Sequence, residues 1–207
     1  MMRTKMLDDR EFFVLEPGEG FLEPAKIFEN NQPLHLEIGS GKGEFLSQYA
    51  PLHPEWNFLG LEAADKRIRN ILKKISPERH PNVRLMRMMV DEKIAELLPE
   101  KSVACVYIQH PDPWPKRRHH KRRLFQPAFL GALAGVMKPG AELHIATDHE
   151  EYSFWIAEMM LKQEEFVSLQ NEVIQSSPSL QDHVATWYET EQRRQGFEPY
   201  FMLFKRI

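Results

Sequence analysis

The 207-residue sequence lacks several features that would place it in a specialised class of proteins. Cys105 is the only cysteine, which excludes an internal disulfide framework and a zinc site built from cysteines. No apolar run reaches the roughly 18 residues that a membrane span needs. Acidic residues at Asp8 and Asp9 stand where a signal peptide would have its apolar core. We therefore expect a cytoplasmic protein without a membrane-spanning segment.

The sequence also lacks a strong excess of charge of either sign. Its 27 Lys and Arg residues are balanced by 30 Asp and Glu residues, which gives a formal net charge of −3. A site for a polyanion would therefore have to come from local clustering of cations. The length fits one domain with at most a small appendage, and we expect an N-terminal arm over residues 1–30 and one domain over 31–207.

Short apolar runs alternate with helical patterns from Leu34 onward. This alternation predicts an α/β fold with a doubly wound, mostly parallel sheet and an antiparallel C-terminal strand. The predicted strands cover residues 34–38, 57–61, 83–88, 103–108, 142–146 and 198–205. The predicted helices cover residues 43–49, 66–75, 92–98, 125–137 and 152–161. Ligands of such sheets bind at the carboxyl ends of the strands.

A glycine-rich loop follows the first predicted strand. Gly39, Gly41 and Gly43 alternate there, and Glu44 stands where a dinucleotide-binding loop would have its last glycine. The sequence EIGSGKG instead has the E-x-G-x-G-x-G pattern of S-adenosylmethionine (AdoMet) methyltransferases. Glu37, at the strand end, suits the positive amino and sulfonium groups of AdoMet.

A second acidic residue, Glu62, ends the next predicted strand about twenty residues after the glycines. An acid at this place in a βαβ unit typically binds ribose hydroxyls. Taken alone, Glu62 fits a surface carboxylate or a helix cap equally well. The loop and the strand context together favour cofactor binding.

The most distinctive segment follows the predicted fourth strand and has the sequence HPDPWPKRRHHKRR. Asp112 lies between two prolines, which restrict its backbone, and Trp114 offers a surface for stacking on a base or for packing in the core. Six cations in this segment predict a phosphate-binding patch, although such runs are often only solvated. These cations are Lys116, Arg117, Arg118, Lys121, Arg122 and Arg123. No suitably spaced metal-ligating partner accompanies His119 and His120, so we expect no metal.

Together these motifs resemble the bacterial tRNA (guanine-N7-)-methyltransferase family. The family's P-D-P-W-x-K-x-R-H-x-K-R-R matches PDPWPKRRHHKRR, and its E-x-G-x-G-x-G and G-[IL]-E motifs match EIGSGKG and GLE. Its T-D and T-x-[FY]-E motifs match Thr147-Asp148 and 186–189. The resemblance extends from about residue 34 to the C-terminus. It implies a Rossmann-like class I fold, AdoMet as cofactor and tRNA as partner, with methyl transfer to N7 of the variable-loop guanosine at position 46.

The resemblance also implies functions for individual residues. Asp112 is the expected catalytic acid beside the methyl group. The expected cofactor-binding residues are Glu37, Gly39, Gly41, Gly43, Glu62, Asp91 and Asp112. The expected substrate-binding residues are Lys116, Arg118, His119, Arg122, Asp148, Thr186 and Glu189.

One departure from the family pattern concerns adenine recognition. The family usually has Asp-Ala after the third strand, and the matching positions here are Met89-Val90, with Asp91 next. Either Asp91 takes over the adenine contact or the backbone does.

Three alternatives remain open: a methyltransferase for another RNA, a small molecule or a protein; a non-catalytic tRNA-binding protein; and a dehydrogenase, which Glu44 disfavours. The oligomeric state is expected to be a monomer or a homodimer.

Overall fold

The computed structural model describes residues 9–16, 18, 20–180 and 182–207. It contains one eight-stranded sheet with helices on both faces. The strands are β1 (Val14–Leu15), β2 (Leu34–Ile38), β3 (Asn57–Glu62), β4 (Val83–Arg87), β5 (Val103–Gln109), β6 (Met137–Thr147), β7 (Phe166–Ser168) and β8 (Tyr200–Arg206). The helices are α1 (Pro24–Phe28), α2 (Glu44–Tyr49), α3 (Asp65–Ile71), α4 (Ile94–Leu97), α5 (Pro127–Val136), α6 (Glu150–Leu161) and α7 (Trp187–Arg194). Short 3₁₀ helices cover Ala50–Leu52 and Arg117–Arg122.

The strand order is β1-β4-β3-β2-β5-β6-β8-β7. Strands β1 to β6 are parallel, β8 is antiparallel to β6, and β7 is antiparallel to β8. The predicted α/β fold with an antiparallel C-terminal strand is therefore confirmed. The short strands β1 and β7, at the two edges of the sheet, were not predicted.

Side chains alternate between the two faces of the sheet, as the strand period of two requires. From β2, Leu36 and Ile38 join the apolar cluster that α1, α4, α5 and α6 cover. His35 and Glu37 are also buried but are absent from that cluster. Residues of α2 and α3 belong to a second cluster that includes Tyr107 of β5. Two covered faces make the sheet doubly wound and bury β2, β3 and β5 in its centre.

Described residues of the predicted N-terminal arm pack against the sheet. Phe13 and Val14 are buried, and Val14 pairs with Leu85 of β4. Arg10 forms an ion pair with Asp65 of α3 at 3.3 Å. Residues 1–8 lie outside the described residues, and the division of the chain at residue 30 stays a prediction. In the described part of the chain, no helix has the length and apolarity to cross a membrane.

The topology directs attention to one edge of the sheet. β2 lies between β3 and β5, so the chain leaves the carboxyl ends of β2 and β5 toward opposite sides. A crevice opens at such a switch point, where ligands of open α/β sheets bind. The glycine loop follows β2 and Glu62 ends β3. The Pro-Asp-Pro-Trp segment (residues 110–123) follows β5, and Asp148 follows β6.

Candidate active site

The glycine loop has a left-handed backbone at all three alternating glycines. The φ angles are +81° at Gly39, +55° at Gly41 and +78° at Gly43, a region that disfavours residues with a Cβ. The three glycines differ in how much room a Cβ atom would have. A Cβ added at Gly39 would meet no atom within 4 Å, whereas one at Gly43 would lie 2.7 Å from the side chain of Ile71. Gly39 therefore presents bare backbone to the crevice, and Gly43 allows α2 to pack closely on α3.

Glu37 is a buried carboxylate that lacks a hydrogen-bonding partner on one oxygen. Its side chain is 4% exposed, and Oε2 accepts no hydrogen bond within the described part of the chain. Burial raises the pKa of Glu37 to about 7, and the nearby carboxylates of Glu62 and Glu44 add to this increase. A buried acceptor without a donor is costly. This environment fits a site for a cationic group.

Glu62 is also buried, but both of its oxygens accept hydrogen bonds from the backbone. The amide of Gly41 donates to Oε2 and the amide of Ala64 donates to Oε1, both at 2.9 Å. Arg67 approaches the same carboxylate at 3.6 Å. Glu62 thus connects the end of β3 to the glycine loop. Together with the buried carboxylate of Glu37 and the bare backbone at Gly39, it forms a site that fits AdoMet.

The crevice at this edge has two adjoining lobes that share several lining residues. The first lobe, of about 570 Å³, is lined by Glu62, Asp91 and Trp114 among others. The second lobe, of about 290 Å³, is lined by Glu37 and Asp148 among others. Asp112 lines both lobes and thus marks the junction between them. Of the predicted carboxylates, all except Glu189 line at least one of these two lobes.

The segment around Asp112 is restrained by its backbone and by a buried arginine. Asp112 itself is exposed, and left-handed φ angles of +50° at His110 and +43° at Trp114 flank the Pro-Asp-Pro sequence. Such angles are strained for these residues and occur frequently at functional sites. The carbonyl of Pro113 accepts a hydrogen bond from Nε of Arg123 at 2.9 Å.

Arg123 was expected to belong to the phosphate-binding patch, and that expectation is wrong. Its side chain is buried, with the residue 1% exposed, and it pairs with Glu151 at 2.5 Å. The guanidinium lies about 5 Å from the ring centroids of Tyr152 and Trp155. A buried guanidinium with these partners anchors the Pro-Asp-Pro-Trp segment and is not available to RNA.

The other cations of this segment are exposed. Within the residues that the structure describes, none of the five forms an ion pair with a carboxylate; they are Lys116, Arg117, Arg118, Lys121 and Arg122. Arg122 lies 5.1 Å from the centroid of Trp114, and the ring of His119 meets that indole edge-on at 5.8 Å. The described residues contain no group of three or more His, Cys, Asp or Glu side chains that could hold a metal.

The segment carrying Thr186 and Glu189 reaches the same crevice through α7. Thr186 caps α7 and accepts a hydrogen bond from the amide of Glu189 at 3.1 Å. Glu189 is buried and pairs with Nε2 of His183 at 2.9 Å and with Arg193 at 3.2 Å. Burial raises the pKa of Glu189, but these partners outweigh it and lower the pKa below its ordinary value. Glu189 is therefore an ionised carboxylate that holds the start of α7.

Asp148 lies between this segment and the end of β5. Tyr188 donates its hydroxyl to Oδ2 at 3.1 Å, and Nδ1 of His110 lies 3.4 Å from Oδ1. Burial raises the pKa of Asp148, but hydrogen bonds to His110 and Tyr188 more than offset this and lower the pKa. Asp148 is thus ionised and held at the wall of the second lobe.

Asp91 lies in the first lobe but already has one partner. Its Oδ1 accepts a hydrogen bond from the amide of Lys93 at 2.9 Å, and the neighbouring Met89 is strongly exposed. The other oxygen is free of any hydrogen bond given by the described residues. Its position in the lobe is compatible with the predicted adenine contact, which stays a prediction.

Three residues in or beside the crevice were not identified from the sequence: Arg67, His110 and His183. His110 is adjacent to the recognised motif, but a histidine at the end of an apolar strand gives no signal of its two acidic neighbours. Trp187 occupies the variable position of the T-x-[FY]-E motif, whose residues 186–189 the resemblance assigns to the substrate nucleotide. His183 and Arg67 become informative only through their contacts with Glu189 and Glu62.

Comparison with known proteins agrees with this geometry. Residues 31–202 match the family model described as "Putative methyltransferase". A tRNA (guanine-N(7)-)-methyltransferase of Nitrosococcus oceani is 38% identical over 93% of this chain and 79% of its own length. Proteins of the same name from Neisseria meningitidis and Bordetella pertussis are 36% and 35% identical over 87% and 89% of this chain, and over 74% and 72% of their own lengths.

Solved structures with low sequence identity share the fold. The 16S rRNA methyltransferase KamB aligns with a TM-score of 0.64 and 18% identity, over 94% of this chain and 98% of its own. TrmN from Thermus thermophilus aligns with a TM-score of 0.60 and 13% identity, over 89% of this chain and 47% of its own. The predicted Rossmann-like methyltransferase fold and the resemblance stated from the motifs are both confirmed. The chain belongs to the tRNA (guanine-N(7)-)-methyltransferase family.

Proposed function

We propose that this protein transfers a methyl group from AdoMet to N7 of the variable-loop guanosine at position 46 of tRNA. Family membership supports the enzyme class, the cofactor and the tRNA guanine substrate. The observation that carries the proposal is that Glu37, Asp112 and Asp148 line one lobe, beside exposed cations that form no ion pair with a carboxylate in the described part of the chain. A cluster of exposed cations at the edge of the crevice favours a polyanionic substrate over a neutral small molecule.

In this proposal the glycine loop and the two buried acids hold AdoMet. AdoMet supplies an electrophilic methyl group on a positively charged sulfur. Gly39 and Gly41 let the backbone approach the ligand, Glu62 accepts hydrogen bonds from the ribose hydroxyls, and Glu37 faces the cationic amino acid end. Asp91 would accept from the adenine amino group in the first lobe. Gly43 contributes through the packing of α2 rather than through contact.

The second lobe would receive the guanine base. N1–H and N2–H of guanine are adjacent donors, and an ionised carboxylate accepts from both, which adenine does not offer. Asp148 is ionised and lines this lobe, so we assign it to that edge. Glu189 is buried and, unlike Asp148, does not line this lobe; its oxygens face His183 and Arg193. We therefore assign Glu189 and Thr186 to holding α7 and Tyr188 in place around the base.

Asp112 would act where the two lobes meet. Guanine N7 carries a bare lone pair, so no proton has to be removed before attack. The task of the protein is to hold N7 in line with the methyl group. Positive charge develops on the purine as the methyl group is transferred, and a carboxylate fixed beside the ring stabilises it. The two prolines and the Arg123 anchor fix Asp112 for this purpose.

The exposed cations would bind the RNA backbone. Lys116, Arg118, His119 and Arg122 lie on the segment that borders the first lobe. Their charges are not neutralised by carboxylates of the described chain, so phosphates can occupy them with release of counterions. We place the reaction in the cytoplasm and expect a monomer or a homodimer.

The test is methyl transfer from labelled AdoMet to unmodified bulk tRNA, followed by mapping of the modified base. Label in N7-methylguanosine of the variable loop is the expected result. Label in another base would support methyltransferase activity but show that the proposed target base is wrong. AdoMet binding without transfer would indicate another substrate, and loss of both would favour a non-catalytic tRNA-binding protein.

A further inference from the structure

An exposed indole ring stands at the entrance of the second lobe. Trp187 is the first residue of α7 and is 51% exposed, yet it lines the same lobe as Glu37, Asp112 and Asp148. Aromatic side chains exposed beside a charged groove are typical surfaces for stacking of unpaired bases. The position of Trp187 in the crevice therefore fits a planar ligand that stacks on the indole.

One face of this indole is already occupied by a cation. Nζ of Lys42 lies 3.1 Å from the ring centroid, and in the described part of the chain Lys42 has no carboxylate partner. Lys42 follows Gly41 in the glycine loop, so the occupied face is turned toward the proposed cofactor site. A cation over the face of a tryptophan is stabilised by the negative charge of the π system. The contact marks this face as one that accepts a positively charged group.

The proposed reaction produces such a group at this place. A guanine that gains a methyl group at N7 becomes a planar cation, whereas unmodified guanine is neutral. An indole stacked on it interacts more strongly with the transition state than with the substrate, and interactions of that kind accelerate a reaction. The stacking contact therefore serves both to position the base and to stabilise developing charge.

We propose that Trp187 is the stacking platform for the target guanine, and that Lys42 leaves the indole face for an RNA phosphate when the base enters. This inference rests on the proposed function and names a residue that determines binding and turnover of the base. Trp114 also has a cation beside its ring, Arg122, but it lines the first lobe, which the proposal gives to AdoMet. The indole that lines the lobe of the base is that of Trp187.

Two substitutions of similar size separate stacking from apolar volume. Trp187→Phe keeps a π face, and Trp187→Leu keeps apolar volume without one. Stacking on a base is worth about fivefold to 150-fold by substitution, so we expect Trp187→Leu to lower kcat/KM for tRNA at least tenfold, with part of the loss in kcat. We expect Trp187→Phe to stay within about threefold of the wild-type protein, because its π face still meets the base.

The measurements are kcat and KM for unmodified tRNA, Kd for AdoMet and the melting temperature of each variant. AdoMet affinity and melting temperature are expected to change little. Phe154→Ala is the matched control, since Phe154 is 61% exposed on α6 among Glu150, Glu151 and Glu158, where RNA is repelled. Equal activity of the Phe and Leu variants, or a loss explained by AdoMet affinity, would overturn the assignment. Absence of guanine methylation by the wild-type protein would defeat the proposed function and this inference together.

Discussion

The buried carboxylate of Glu37 predicts a pH dependence of AdoMet binding. Its pKa is raised to about 7 because burial penalises the charged form. If the ionised form faces the ammonium group of AdoMet, only the ionised fraction of the protein is competent to bind. With a pKa of about 7, that fraction rises from about 9% at pH 6 to about 76% at pH 7.5. The apparent Kd for AdoMet should therefore fall roughly eightfold over this range.

Isothermal titration of the free protein with AdoMet measures this change. At the upper limit of pH 7.5 about 60–75% of the ligand's amino groups are still protonated, since α-amino groups titrate near 7.7–8.0, and this reduces the expected change in apparent Kd to about fivefold to sixfold. Glu37→Gln should weaken binding and remove the pH dependence. Glu62→Gln is the matched control, because it should weaken binding while a pH dependence due to Glu37 remains, moved to lower pH because the Glu62 charge that helps to raise the pKa of Glu37 is removed. A flat profile in the wild-type protein, or an unchanged slope in Glu37→Gln, would refute the reasoning.

The same carboxyl predicts how stability changes with pH. The folded-state pKa of about 7 lies above the ordinary value of 4.5, so the folded protein holds more protons than the unfolded chain between these values. Stability contributed by this group is fully present below the ordinary value and falls as pH rises through about 7. Between pH 4 and 8 the loss is on the order of 3 kcal/mol. Glu37→Gln should reduce this loss, measured by urea denaturation without AdoMet.

Three further predictions concern the Pro-Asp-Pro-Trp segment. Asp112→Ala should abolish most methyl transfer while AdoMet binding persists; unchanged turnover would exclude Asp112 as the key carboxylate. Lys121→Gln combined with Arg122→Gln should weaken tRNA binding and reduce the slope of log affinity against log salt by about two, because two phosphates would no longer be neutralised. An unchanged slope would exclude both cations from phosphate binding. Arg123→Met should lower the free energy of unfolding by about 2 kcal/mol, because it removes the charged hydrogen bonds to Glu151 and the Pro113 carbonyl, with the salt slope unchanged; a reduced slope would instead place Arg123 on the RNA.

Apolar patterning predicted the central part of the sheet because those strands are buried on both faces. The run from Val103 to Gln109 is almost wholly apolar, and the structure has β5 there. The edge strands β1 and β7 are two and three residues long. Strands this short show no recognisable alternation of apolar and polar residues. Their pairing is decided by contacts with β4 and β8, which the local sequence does not encode.

The sequence predicted which types of residue line the crevice, but it did not predict which residues pair with each other there. Arg123 and Arg122 are adjacent and chemically identical, and only folding decides that the first is buried beside Glu151 and the second exposed. His110 likewise acquires its significance from residues 38 and 79 positions away. Sequence periodicity reports which apolar side chains are buried. Which polar groups become partners depends on the topology, because it brings the ends of β5 and β6 and the start of α7 together.

The environments of four carboxylates at this edge of the sheet explain why they need not share one role. Glu62 receives two backbone hydrogen bonds, and Asp148 has His110 and Tyr188 as partners, so each is held in a fixed orientation. Glu37 is equally buried but leaves one oxygen without a donor, so it gains most from a cationic ligand. Asp112 is exposed on a restrained segment. Its charge is therefore available to a base that becomes positive as the methyl group is transferred.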